Sequence, residues 1–254
     1  MGEYMIDKLK RLTSTKSFHL CMIIVIIAVI LFIVGMLILR YNVEGETNMP
    51  FELTKITIVS SQEGADKTAT DTRWAFDIYQ TNDIYLYIDK NAQYEKQETI
   101  QSIKIAHFNI EAQNKENIKI YKPDAEDQNT IFRYKDENIV DSIEYVSDVK
   151  SDLKNMKISN QGGIVAFRCA NNNIAEYKSN DEEIEHMQLL KKAGITNEQL
   201  KIKLNFDLRI ITQSGKEYKA NVELQLPEGN VVDEGTTSIE ITDLNNIIFK
   251  REKN

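Results

Sequence analysis

Apolar and polar positions divide this chain into two regimes. From Phe18 to Leu39 every position except His19 is apolar, and no Asp, Glu, Lys or Arg interrupts the run. At ~1.5 Å rise per residue such a stretch makes a helix of roughly 33 Å, enough for a hydrocarbon core of ~30 Å. Lys16 and Arg40 bracket it, with stems long enough to carry their charges to the interfaces. A cleaved signal peptide fits less well, because its apolar core runs to about 7–15 residues and a small-residue cleavage site follows. A lipoprotein anchor fits poorly too: Leu20, not a small residue, precedes Cys21. The pattern predicts one transmembrane helix, residues 18–39.

Beyond it the dominant period is two. Residues 51–59 are predicted as a strand, followed by a polar loop from Ser60 to Arg73. The stretch Trp74–Asp89 alternates with Trp74, Phe76, Ile78, Ile84, Leu86 and Ile88 on one face. Its polar centre predicts a hairpin with Gln80–Thr81–Asn82 as a three-residue loop, the odd loop length keeping even positions on one side. A second hairpin is predicted at 200–226. A loop at Gln213–Ser214–Gly215 pairs Ile210 with Tyr218 and Ile202 with Leu226, and Pro227 and Gly229 end the ribbon. Further strands are expected at 102–111, 118–121, 130–134, 156–159, 163–169, 237–242 and 246–251. One helix is expected from Asn180 to Gly194, capped by Asn180 with Glu183 in its first turn, with Ile184, Met187 and Leu190 as its apolar stripe.

These elements imply a mainly β protein: a single N-terminal transmembrane helix followed by an antiparallel β-sandwich-like extracytoplasmic domain with one short helix. The expected division is a cytoplasmic tail at 1–17, the span at 18–39, a tether at 40–50 and one domain at 51–254. Two smaller β-domains meeting near 150–160 are the alternative, because residues 141–159 are weakly patterned.

Charge supplies orientation. Lys8, Lys10, Arg11 and Lys16 precede the span, whereas Arg40 is followed by no base until Lys55. The positive-inside bias therefore puts the N-terminus in the cytoplasm and the C-terminal domain outside the cell membrane, as a single-pass signal anchor. Residues 1–40 hold five bases and two acids of the chain's 31 and 39, which leaves residues 41–254 at −11. That balance argues against nucleic acid as a partner. With 34 Ile and 24 Lys against 7 Arg, the composition suits a bacterial cell envelope.

Candidate chemistry is sparse. Cys21 lies in the span and Cys169 in a strand-like stretch, so no disulfide is expected, and no cofactor or metal motif occurs. His107 and His186 stand alone in sequence. The acidic loop 123–129, with Asp124, Glu126 and Asp127, lacks the spacing of a calcium loop. Asp181, Glu182 and Glu183 are accounted for as a helix start. Tyr79, Tyr85 and Tyr87 share the face opposite Trp74 and Phe76, a candidate interaction surface for an envelope protein or a glycan if it is open to solvent. Cys21, Ala28 and Gly35 recur every seven positions, a candidate packing seam for a second copy within the bilayer, although three small residues reach that spacing by chance as well. The leading expectation is a membrane-anchored binding domain without catalysis. The competing one is a hydrolase of wall polymers with paired carboxylates at unidentified positions.

Overall fold

The computed structural model describes residues 16–43, 49–68, 71–126 and 129–252. Of the expected tail at 1–17 only Lys16 and Ser17 are described, and they begin a helix; of the expected tether at 40–50, residues 40–43 are helical and 44–48 lie outside the described residues. Two compact units result, Met1–Glu44 and Gly45–Asn254. The first contains helix α1, Lys16–Val43, whose segment His19–Leu37 is long and apolar enough to cross a membrane and has no buried residue.

The second unit is mainly β. Its strands are β1 (Phe51–Asp66), β2 (Trp74–Lys90), β3 (Ile100–Ala112), β4 (Ile118–Tyr121), β5 (Ser142–Asp148), β6 (Lys157–Ser159), β7 (Gly163–Ser179), β8 (Ile202–Thr212), β9 (Glu217–Leu226), β10 (Thr236–Ile241) and β11 (Lys250–Glu252). They form a five-stranded sheet in the order β10-β1-β2-β7-β4 and a six-stranded sheet in the order β11-β9-β8-β3-β5-β6. All pairings are antiparallel except β5 with β6. The inward rows of both sheets share one core, in which Phe167 of one sheet meets Phe206 of the other edge-on at 5.2 Å.

The 200–226 ribbon has the expected register, Ile210 opposite Tyr218 and Ile202 opposite Leu226, with Gly215 at φ 77° closing the turn. The first hairpin does not exist. Trp74 to Lys90 is one strand, and β1 runs beside it through Ser60 to Asp66, where a loop was expected. An unbroken strand also keeps even positions on one face, so parity alone cannot separate it from a three-residue loop.

Gln80 and Asn82 point inward, fully buried, and bond each other. Asn82 Oδ1 accepts from Ser60 Oγ (2.7 Å) and Gln80 Nε2 (2.8 Å), while its Nδ2 donates to the Cys169 carbonyl (3.2 Å). The polar centre is a satisfied belt inside the sheet rather than a turn.

Along β1, β2 and β7 this belt separates the main core from a smaller one. Phe76 and Ile78 there pack with three short helices, α2 (Leu189–Lys192), α3 (Asn197–Leu200) and α4 (Val231–Glu234). The expected helix at 180–194 shrinks to α2 and a preceding 3₁₀ turn at His186–Gln188. Asn180 does not cap it: its side chain accepts from the Arg73 amide (2.8 Å), and Trp74 Nε1 donates to the Asp181 carbonyl (3.0 Å), which ties the segment to the start of β2 in a non-helical conformation. Gln62 fixes the helix instead, donating to the Met187 carbonyl and accepting from the Leu190 amide. Of the expected stripe, Leu190 is buried and Met187 exposed.

Residues 130–134 are irregular, the strand expected at 246–251 forms only from Lys250 and runs to Glu252, and weakly patterned 142–148 is a strand. β7 also extends ten residues past Cys169, to Ser179.

Candidate functional site

The outer face of the five-stranded sheet carries the three tyrosines singled out above. Because β2 is continuous, its odd positions, Tyr79, Asp83, Tyr85 and Tyr87, all point away from the core. Opposite them on β1 stand Glu63, Val59, Thr57 and Lys55; Arg168, Ala166 and Ile164 flank Asp83, Tyr85 and Tyr87 on β7.

Arg168 organises this face. Its guanidinium donates to both oxygens of Asp83, from Nε at 2.6 Å and from a terminal nitrogen at 3.1 Å, and the other terminal nitrogen lies 3.3 Å from Glu63. The connection between β4 and β5 crosses above it. From this strap Phe132 and Tyr134 set their rings 5.3 and 5.4 Å from the guanidinium carbon, a doubly stacked cation–π arrangement. Burial raises the Asp83 carboxyl above its ordinary range, opposed by the hydrogen bond and charge of Arg168.

The three tyrosines are half-buried, each in a different setting. Tyr79 packs on Tyr134 with ring centres 5.1 Å apart, and Tyr134 in turn meets Tyr121 edge-on at 5.5 Å. Tyr87 carries the Lys55 ammonium over its ring at 4.3 Å. Burial, with the Asp83 charge beside it, pushes the Tyr85 phenol up to about 12. The ring faces of Tyr79 and Tyr87 are thus partly taken up within the chain.

The other sequence candidates fall elsewhere. Asp124 is buried and accepts from the Glu126 amide (2.8 Å) and Asn138 Nδ2 (3.0 Å), while Lys135 contacts Asp124, Glu126 and Glu137 at 3.7, 2.5 and 3.2 Å. The cation at this acidic loop is a lysine of the chain itself; Asp127 lies outside the described residues. No group of three or more His, Cys, Asp or Glu side chains placed to share a metal ion occurs among the described residues.

His107 sits at a bulge of β3 with φ 56° and its Nδ1 2.8 Å from Asp207, exposed on the six-stranded sheet. His186 packs edge-on to Phe76 at 5.4 Å. The two histidines belong to different surroundings. Asp181, Glu182 and Glu183 are exposed and precede the 3₁₀ turn, so no helix dipole accounts for them. Cys169 is fully buried, and that burial pushes its thiol up to about 12. In α1, Cys21 and Ala28 are exposed, and a Cβ on Gly35 would meet nothing within 4 Å.

Sequence reasoning missed the Arg168 cluster. A signal existed: a lone arginine within the apolar GIVAFRCA stretch calls for a buried carboxylate partner, since an unpaired charge is not tolerated there. What no local pattern carries is that Asp83 is that partner, or that Phe132 and Tyr134 arrive from the strap. Comparison with protein-family models, curated proteins and solved structures returned no match.

Proposed function

We propose that this chain is a single-pass envelope protein of a bacterial cell membrane, with its N-terminus in the cytoplasm, that holds a β-sandwich just outside the bilayer as a binding module without catalysis. The observation that carries this reading is the contrast between the two units. Gly45–Asn254 closes a core of its own, whereas His19–Leu37, with mean hydropathy 3.4, has no buried residue. Each Leu, Ile or Phe left in water forgoes about 1.5–3 kcal/mol, which supports placing a run of this length in a bilayer. The basic flank before the span and the sparse one after it support the orientation.

The outer face of the five-stranded sheet is the module's contact surface, and its partner is a protein rather than a glycan. Sugar stacking needs flat, open aromatic faces, but here Tyr134 and Lys55 already lie against the rings of Tyr79 and Tyr87. Ring edges, hydroxyls and paired charges remain, the mixed chemistry of a protein interface.

Orientation is tested by a membrane-impermeant maleimide on intact cells. Ser214→Cys, in the exposed 213–215 turn, reacts directly, and Ser14→Cys reacts only after permeabilisation; the reverse pattern refutes the orientation. The contact surface is tested by co-purification with the full-length chain. Tyr87→Ala with Lys55→Glu removes a partner that Glu144→Ala, on the opposite sheet, retains. A partner indifferent to both variants, or a glycan retained in its place, overturns the assignment.

A further inference from the structure

β7 keeps one edge open. β2 runs along it on one side, whereas on the other β4 pairs only with Arg168–Asn171, and no strand among the described residues continues along Asn172–Ser179. The Lys67 amide donates to the Ala75 carbonyl at 2.9 Å, so odd residues at this end of β2 turn their backbone groups to β1, and the even ones, Phe76 and Ile78, turn theirs to β7. Their partners Tyr177 and Ala175 therefore bond back to β2. Glu176 and Lys178 present N–H and C=O to the open side.

The side chains alternate in the same way. Tyr177 packs against the smaller core, opposite Phe76. Glu176 and Lys178 are exposed on the other face, where Lys178 Nζ lies 3.1 Å and Lys67 Nζ 3.6 Å from the Glu176 carboxylate. Open edges are ordinarily blunted by a bulge or a lone charge. Asn173, at φ 50°, marks a bulge just past the end of β4, but β7 pairs regularly with β2 again from Ala175 to Ser179. Its charges there are opposite in sign and two positions apart, so the strand is complementary to an antiparallel copy of itself. With Tyr177 on a twofold axis, Glu176 of each copy faces Lys178 of the other in a hydrogen-bonded pair, since both turn their backbone groups outward. Tyr177 meets its equivalent in a non-hydrogen-bonded pair, where side chains come closest. The open edge of β9, Ala220–Leu226, offers no such match, because Glu223 is its only charge.

We propose that β7 joins a second copy of this chain edge to edge over Ile174–Asn180, which makes one continuous sheet of the two five-stranded sheets. This contact depends neither on the tyrosine face nor on the anchor. So short an edge makes a small interface, and the test therefore traps it covalently. Full-length chains carry Cys21→Ala, with Cys169 left buried in the core. One copy bears Glu176→Cys and a differently tagged copy bears Lys178→Cys. A hydrogen-bonded pair sets Cα atoms about 5.5 Å apart, within disulfide reach, whereas position 176 of one copy lies roughly 8 Å from position 176 of the other. Copper phenanthroline added to permeabilised cells is expected to cross-link the mixed copies and neither variant with itself.

The charge match is tested on Tyr177→Cys, whose equivalents stand about 4.5 Å apart at the axis. Adding Glu176→Lys or Lys178→Glu abolishes its cross-link, and co-expressing the two restores it between unlike copies. Because Glu176 and Lys178 are exposed, their cysteine variants leave the core intact, and the first arm decides even where Tyr177→Cys lowers the level of the chain. Equal cross-linking in mixed and single-variant cells marks random collision and overturns the pairing. So does a charge loss that co-expression fails to restore. No cross-link in any combination, with the chains present at their usual level, overturns the second copy as the occupant of this edge.

Discussion

Tyr145 of β5 offers the sharpest test of how the two sheets are joined. Its ring is fully buried, and its hydroxyl reaches across to β7, donating to the Ala166 carbonyl at 2.9 Å and accepting from the Ala166 amide at 3.0 Å. The need is topological. On the side away from β2, β7 is paired by β4 only over Arg168–Asn171, so the backbone of Ala166 has no strand neighbour there. One phenol replaces it, satisfying a donor and an acceptor together.

Tyr145→Phe keeps the ring and deletes only this oxygen, leaving two buried backbone groups unpaired. At about 1–3 kcal/mol for each orphaned group, partly relieved by relaxation, the loss is roughly 2–4 kcal/mol. Urea unfolding of the Gly45–Asn254 unit, followed by near-ultraviolet circular dichroism, should show a lower midpoint at unchanged slope, because the surface exposed on unfolding is the same. For a unit of this size Tm should fall by roughly 4–16 °C. A change below about 0.5 kcal/mol would mean that water or a shifted strand serves Ala166 equally well, and the bridge would then have no energetic role.

Three further outcomes follow from the same geometry. Arg168→Ala removes the partner of a buried carboxylate and the seat of Phe132 and Tyr134; it should cost about 3–5 kcal/mol, with Asp83→Asn in the same chain restoring part of it, and additive losses in a double-mutant cycle would refute the pairing. Glu98 is pushed up by burial, but the hydrogen bonds from Lys216 and Ser214 and the charge of Lys216 outweigh that and hold it below its ordinary 4.5. A depressed carboxyl contributes stability that is fully present above its unfolded value and is lost as pH falls through the folded one. Stability should therefore decline below about pH 4.5 less steeply in Glu98→Gln, and identical acid profiles would exclude the pair as a cause. Cys169, with its thiol pushed up to about 12 inside the core, should resist iodoacetamide in the native state and react only on unfolding; prompt native labelling would contradict its burial.

Legibility followed the range of the interactions. The ribbon at 200–226 was readable to the residue, because strict alternation and a glycine able to take positive φ are both local. The belt at Gln80 and Asn82 was not, because a polar residue inside a strand is distinguished from one in a turn only by what it bonds, here Ser60 and the Cys169 carbonyl. The 180–194 segment carried a local helix signature, but Asn180 and Asp181 are held by Arg73 and Trp74, more than a hundred positions away. The candidate face was half legible: its tyrosines follow from parity, whereas the Arg168–Asp83 pair and the strap aromatics depend on which strands become neighbours.

Composition and periodicity by themselves determined the apolar helix, the β class of the rest and the inward rows of β2, β8 and β9, since these depend only on what a residue does beside its near neighbours in water or lipid. Tertiary structure alone decided that β1, β2 and β7 continue through polar stretches, that the core splits around a hydrogen-bonded belt, and that a tyrosine hydroxyl closes an open strand edge. Each of those is the satisfaction of a buried polar group by a distant partner, and that partner exists only once the chain has folded.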